Sequence, residues 1–151
     1  MSVSPMDEAI REAREGIRAG HGGPFGAVVV RGGAIIGRGH NRVIQHNDPT
    51  CHGEIEAIRD ACRSAGTFDL SGADIYTTSE PCPMCLGAVL WANIRRVYYG
   101  CDRQDAEAIG FRDRVFYEAM ETGSYRLIPQ GRDECLEVFR EYMDLPDKAR
   151  Y

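Results

Sequence analysis

His52, Glu54, Cys82 and Cys85 are the residues whose types and spacing could do chemistry. His52-Gly53-Glu54 is followed by Pro81-Cys82-Pro83-Met84-Cys85, so one imidazole and two thiolates are available to a single metal. Structural zinc sites are closed by four protein ligands, whereas catalytic ones keep three and leave the fourth position to water. Cys82 and Cys85 stand three residues apart at an expected helix start, which turns both sulfurs to one side. The positive end of a helix also favours thiolates. Glu54, two residues after His52, would strain a helix as a further ligand but is suited to take a proton from that water and pass it on. Zinc lowers the pKa of a water to roughly 7, and a general acid/base adds roughly 10²–10⁴-fold. A Cys-x-x-Cys pair alone would fit a redox motif or half of a structural zinc site. The preceding His-x-Glu favours a catalytic zinc, because Cys51, His46 and Glu54 are each awkwardly placed as a fourth ligand.

The elements that must position these residues are legible from periodicity. Met6, Ile10, Ala13 and Ile17 recur at helical spacing, ending near Gly20-His21-Gly22-Gly23. Residues 25–30 and 34–37 read as strands joined by Arg31-Gly32-Gly33, and 45–50 as a loop. A helix begins close to His52 and stops at Gly66. Residues 74–78 form a strand, Pro81 and Pro83 mark a new helix start that runs to Trp91, and 96–99 is the next strand. Short helices are expected at 105–109 and 113–121, a fifth strand at 125–128, and a last amphipathic helix carrying Cys135 to Met143. Strand–helix units of this order give a three-layer α/β/α sandwich with a mixed five-stranded sheet.

At 151 residues the chain fits a single domain, 1–151. A formal net charge of −5 disfavours a nucleic-acid polymer as partner, since phosphate backbones call for a clustered positive field. No stretch approaches ~20 apolar residues, so no membrane helix is expected. The first eight residues lack the features of a secretory signal, so the protein is expected to be cytoplasmic. Of the six cysteines, Cys62, Cys101 and Cys135 are expected to be small core hydrophobes, with Cys51 near the site or packed beneath it.

With these motifs the chain resembles the cytidine-deaminase-like superfamily, whose His-x-Glu and Pro-Cys-x-x-Cys pattern it carries. The resemblance runs from Pro24-Phe25-Gly26-Ala27 through the final helix and implies one zinc per subunit on His52, Cys82 and Cys85, with Glu54 as proton shuttle. Asn41 matches an asparagine that hydrogen-bonds substrate in base deaminases. Asn47-Asp48-Pro49-Thr50 and the segment 80–88 look like the guanine and tRNA-adenosine branches, and 105–113 looks more like bacterial guanine deaminases. That implies purine recognition by Asp113 and a lid from Tyr151, with the helix and tail 131–151 exchanged between subunits of a homodimer. Two positions depart from the branch: Gly53 stands where alanine is usual, and Arg112 where an aspartate is usual. Fungal cytosine deaminase shares the glycine, and Gly53 would leave its N–H accessible to a substrate carbonyl.

The expected activity is therefore zinc-dependent hydrolytic deamination of a free nucleobase, guanine to xanthine and ammonia. Cytosine, guanosine and other aminated heterocycles are the alternative substrates. A zinc-stabilised interaction module without turnover is the alternative from another class. Phe25 and Trp91 are candidates to pack against the base.

Overall fold

The computed structural model describes residues 3–123, 125 and 127–151. Its order is α1 (Pro5–Arg18), β1 (Gly26–Arg31), β2 (Ala34–His40), α2 (Val43–His46), α3 (Gly53–Ala65), β3 (Asp74–Ser79), α4 (Pro83–Trp91), β4 (Arg96–Cys101), α5 (Arg103–Ala108), α6 (Asp113–Thr122) and α7 (Arg132–Asp144). The sheet runs β2-β1-β3-β4, with β1 antiparallel to both neighbours and β3 parallel to β4. The α/β layering and mixed sheet match expectation, with α1 on one face and α3 and α4 on the other.

Among the described residues the sheet has four strands, not five. In the segment expected as the fifth, Tyr125, Leu127 and Ile128 belong to no strand, and their apolar side chains are 82%, 91% and 81% exposed. Arg126 of that segment lies outside the described residues. β2 and β4 run further than expected, to His40 and Cys101, because Gly39 and Gly100 break the apolar alternation but not the backbone pairing. A four-residue helix, α2, occupies the start of the expected loop. Cys101 and Cys135 are exposed, contrary to the core role expected of them, since the strand end and helix that carry them bury no surface there.

Along β1 the residues alternate between layers. Ala27 and Val29 join Ile75, Ala57, Ala61 and Val89 in the core beneath α3 and α4. Gly26 faces α1, where a Cβ would lie 2.2 Å from the Ala9 carbonyl oxygen. The α3 side is likewise packed backbone on backbone. A Cβ on Gly37 would meet Ala57 O and Ala61 N at 2.5 Å, and one on Gly39 would meet Ala57 N at 2.6 Å. These glycines let the helix that bears His52 and Glu54 settle directly onto the sheet.

Gly37→Ala is therefore expected to destabilise the protein by about 1–3 kcal/mol in urea unfolding, as overpacking does. Gly87, mid-helix in α4 with open space where its Cβ would go, supplies the contrast. Gly87→Ala should stabilise by roughly 0.5–1 kcal/mol. Equal responses at the two positions would contradict the close packing of α3.

Candidate active site

Two helix N-termini converge on one point. His52 is the N-cap of α3 and Cys82 the N-cap of α4, both with extended backbone, and neither side chain caps its own helix. The imidazole and thiol are thus left free to face each other. Pro83 takes the first helical position of α4, where a missing N–H costs nothing, and one turn later Cys85 is buried on the same side.

His52 Nδ1 lies 3.5 Å from Cys82 Sγ and 3.4 Å from Cys85 Sγ. The three ligand atoms fall within 4.8 Å of one another. A tetrahedral zinc with bonds of about 2.0–2.1 Å to nitrogen and about 2.3 Å to sulfur sets N···S edges of roughly 3.6 Å. The donor set and its spacing fit that metal. The Cys82 thiol is held down to about 4, first by the hydrogen bond with Cys85 and, after the opposing effect of burial, by His52. Cys85 is pushed up by the same partner and by burial, so the two sulfurs share one negative charge next to a histidine whose pKa Cys82 raises.

Glu54 lies in the first turn of α3, two residues after His52, and is buried. Burial pushes its carboxyl pKa up, against the smaller lowering by Cys85, which favours a group that can hold a proton. Thr77, fully buried on β3, holds it from below. Its hydroxyl lies 3.2 Å from Glu54 Oε1 and 3.1 Å from the Ser79 carbonyl oxygen. One hydroxyl proton faces two acceptors, so the Thr77 oxygen can also accept from Glu54 when that carboxyl is protonated. With Oε1 engaged there, Oε2 is the oxygen left for the cavity.

That cavity, of about 520 Å³, is lined by His52, Glu54 and Cys82 together with Asn41, Phe25 and Asp113. Asn41 is buried. Its Oδ1 accepts from Val43 N at 3.1 Å, leaving the Nδ2 donors for a ligand. Gly22 makes room for it, since a Cβ there would stand 2.1 Å from Asn41 Oδ1. Phe25 meets Phe111 edge-on, ring centroids 4.7 Å apart, and both line the wall. Asp113, at the start of α6, is half-buried with its pKa raised by burial and then by Cys82. Arg112 lies at the same rim, 5.2 Å from the centroid of the Phe116 ring.

Gly53 does not line the cavity. A Cβ there would come within 3.1 Å of the Phe25 carbonyl oxygen and 3.2 Å of Gly26 Cα, so its smallness serves the seating of α3 on the sheet. Trp91 and Tyr151 are also elsewhere. Trp91 follows Cys85 by six residues, about 1.7 helical turns at 3.6 residues per turn, and so points away from the ligands and is largely exposed. Tyr151 packs against it and against Phe68, with centroids 5.9 Å and 5.7 Å apart. Cys51 packs beneath α3, near His46 Nδ1 at 3.8 Å and Arg59 Nη1 at 3.6 Å, and burial raises its thiol to about 11. Phe111, Glu80, Ser79 and Ile44 line the cavity without having been assigned from sequence. The Phe-x-Asp spacing before α6 was a usable signal for Phe111. Glu80 was quoted in a motif, but nothing in its spacing pointed to the cavity.

Comparison with known proteins follows the same outline. A family model of the cytidine and deoxycytidylate deaminase zinc-binding region matches residues 3–101. The chain is 42% identical to guanine deaminase of Bacillus subtilis over 150 residues, covering 97% of this chain and 96% of that protein. The crystal structure of a guanine deaminase from Bacillus subtilis superposes with a TM-score of 0.90 at 40% identity, covering 97% and 96% of the two chains. A guanine deaminase from Nitrosomonas europaea aligns with a TM-score of 0.69 at 33% identity over 75% of this chain and 67% of the other. A tRNA-specific adenosine deaminase of Agrobacterium fabrum is 46% identical over 93 residues, 62% of this chain and 61% of the relative.

Thr77→Val removes the hydroxyl without changing the shape of the strand. It is expected to lower kcat about tenfold while bound zinc stays at the wild-type level, the loss being that of a buried hydrogen bond to a charged group. Thr77→Ser should recover most of the rate. Full activity in the valine variant would show that Thr77 does not hold Glu54.

Proposed function

Because the chain belongs to the cytidine and deoxycytidylate deaminase zinc-binding family, we propose that it hydrolyses the exocyclic C–N bond of guanine, giving xanthine and ammonia. The observation that carries this reading is the cavity itself, which brings Glu54, His52 and Cys82 together with Asn41 and Asp113. Guanine presents a carbonyl and ring N–H groups. The Asn41 amide donates to the first and the Asp113 carboxylate accepts from the second. The edge-on pair Phe25 and Phe111 offers an apolar wall for a flat ring. A space of about 520 Å³ takes a bicyclic base readily. The near full-length identity with a guanine deaminase supports the same substrate.

His52, Cys82 and Cys85 would hold the zinc. Zinc so held supplies Lewis acidity and lowers the pKa of a water to roughly 7. Glu54 takes the proton as the water oxygen adds to C2 of the base and hands it to the neighbouring ring nitrogen. It then carries a second proton from the added hydroxyl to the amino group, which leaves as ammonia. Its buried, proton-favouring setting suits both steps. Thr77 keeps the carboxyl aligned through the exchange.

We further infer a cytoplasmic homodimer. Six free thiols suit a reducing compartment, and among the described residues no helix is long and apolar enough to cross a membrane. Val138, Phe139, Tyr142 and Met143 of α7 form an exposed apolar groove, a face that a second copy could cover. Tyr151, resting on Trp91 in its own chain, would then be available as a lid for a second copy's cavity.

Ammonia release from guanine, cytosine, adenine and guanosine by the zinc-loaded protein tests the substrate. Guanine should be turned over at least about tenfold faster than any other, as expected where paired polar groups must be satisfied. Cytosine turned over and guanine untouched would overturn the assignment. Glu54→Gln should retain zinc and lose roughly 10²–10⁴ in kcat, and an active glutamine variant would remove Glu54 from its role. A zinc chelator should abolish turnover and added zinc restore it.

A further inference from the structure

One wall of the cavity is barely attached to the core. Phe111, Arg112, Asp113 and Phe116 belong to the α5–α6 segment. In this segment α6 has no buried residue and α5 buries only Ala106. Arg114 of α6 joins the two helices through Glu107 of α5 at 3.3 Å and pairs with Glu118 of its own helix at 3.1 Å, so the segment holds itself together. Those contacts do not fix where it sits over the metal ligands.

What fixes it is a compact set of contacts onto Glu80-Pro81, the two residues before Cys82. The Arg103 backbone N–H donates to Glu80 Oε1 at 3.2 Å, and its guanidinium Nε donates to Glu80 Oε2 at 2.6 Å. The same guanidinium lies 3.7 Å from the centroid of the Tyr117 ring. The Tyr117 hydroxyl donates to the Pro81 carbonyl oxygen at 2.6 Å. Arg103 opens α5 and Tyr117 lies in α6, so the clamp grips the segment on both sides of Phe111–Asp113. The Phe25–Phe111 edge contact is a further attachment, just before β1.

We propose that Arg103 and Tyr117 are positioning residues that set the distance between the Asp113 wall and the zinc-ligand loop, and through it the affinity for the base. The proposal rests on the deaminase reading above, because the wall matters only if it meets a substrate. Neither residue lines the cavity. Their effect runs through Glu80 and Pro81 at one end and the wall at the other. A merely structural pair would change stability and little else, whereas a positioning pair changes KM while sparing the proton chemistry at Glu54.

The experiment compares Arg103→Leu, Arg103→Lys, Tyr117→Phe and the double variant Arg103→Leu/Tyr117→Phe as zinc-loaded, full-length proteins. KM for guanine is expected to rise about fivefold in Arg103→Leu and about threefold in Tyr117→Phe, as loss of partly exposed polar contacts allows, with kcat changing less than either. Arg103→Lys keeps the charge but loses the fork and the flat stacking surface, so it should resemble leucine more than wild type. The double variant should be no worse than the product of the singles, since both act on one clamp. Unchanged KM in all four, or a fall in kcat at constant KM, overturns the proposal, as does loss of zinc from Tyr117→Phe. Amide hydrogen exchange gives a reading independent of turnover: residues 103–117 should lose protection while β1 keeps it, and unchanged protection is also an overturning result. If wild-type protein turns over a different base, guanine is the wrong substrate, and the same KM comparison on that base still decides the clamp.

Discussion

The backbone of α3 lies against the backbones of β1 and β2, and the functional geometry depends on that closeness. Helices usually stand off a sheet by the thickness of two side-chain layers. Here Gly37, Gly39 and Gly53 remove one of them, and any Cβ at the first two would press on the helix backbone itself. The approach puts His52 in line with the start of α4 and lowers Glu54 far enough to reach Thr77 on β3. It also fixes Asn41, whose N–H donates to the Phe25 carbonyl oxygen, the atom a Gly53 side chain would crowd. A half-ångström retreat of the helix would loosen ligand, base and substrate contact together.

Burial and charge oppose each other at the site, and the balance gives each group its character. Glu54 is deep enough that desolvation outweighs the neighbours that would keep it ionised. Cys82 is also buried, yet two hydrogen-bonding partners hold it as the anion. Two neighbouring acids are thus pushed in opposite directions, Glu54 by its depth and Cys82 by its partners. The positive end of α4 adds to the hold on the Cys82 thiolate.

The metal ligands and Glu54 were legible because their chemistry is carried by residue type at short spacing, and a helix start fixes the geometry over that distance. The layers were legible because the unbroken apolar run Ala27–Val29 marks a strand buried on both faces, and the apolar spacing of the 55–65 helix reports which of its sides is covered. The fifth strand was misread because Tyr125, Leu127 and Ile128 have strand-like composition, whereas pairing with a sheet edge is a long-range property that composition does not report. Trp91 was misread for a similar reason: a large aromatic near a ligand helix looks like a pocket wall until the turn angle is followed. Gly53 signalled something real, but the signal was packing and not substrate contact. The links from Arg103 to Glu80 and from Tyr117 to Pro81 span 23 and 36 residues, beyond the reach of any local pattern.

The clamp has a consequence for how such a protein changes over generations. Residues 3–101 match the zinc-binding region shared across the family, while one wall of the cavity, Phe111 to Phe116, lies beyond it. The metal-ligand triangle and this one wall of the cavity are therefore successive stretches of one chain, riveted at a few atoms. Substitutions in the second stretch can accumulate without disturbing the first, provided the rivets hold. A lineage could reshape one side of its cavity by rewriting a short passage and leave its inherited metal site intact.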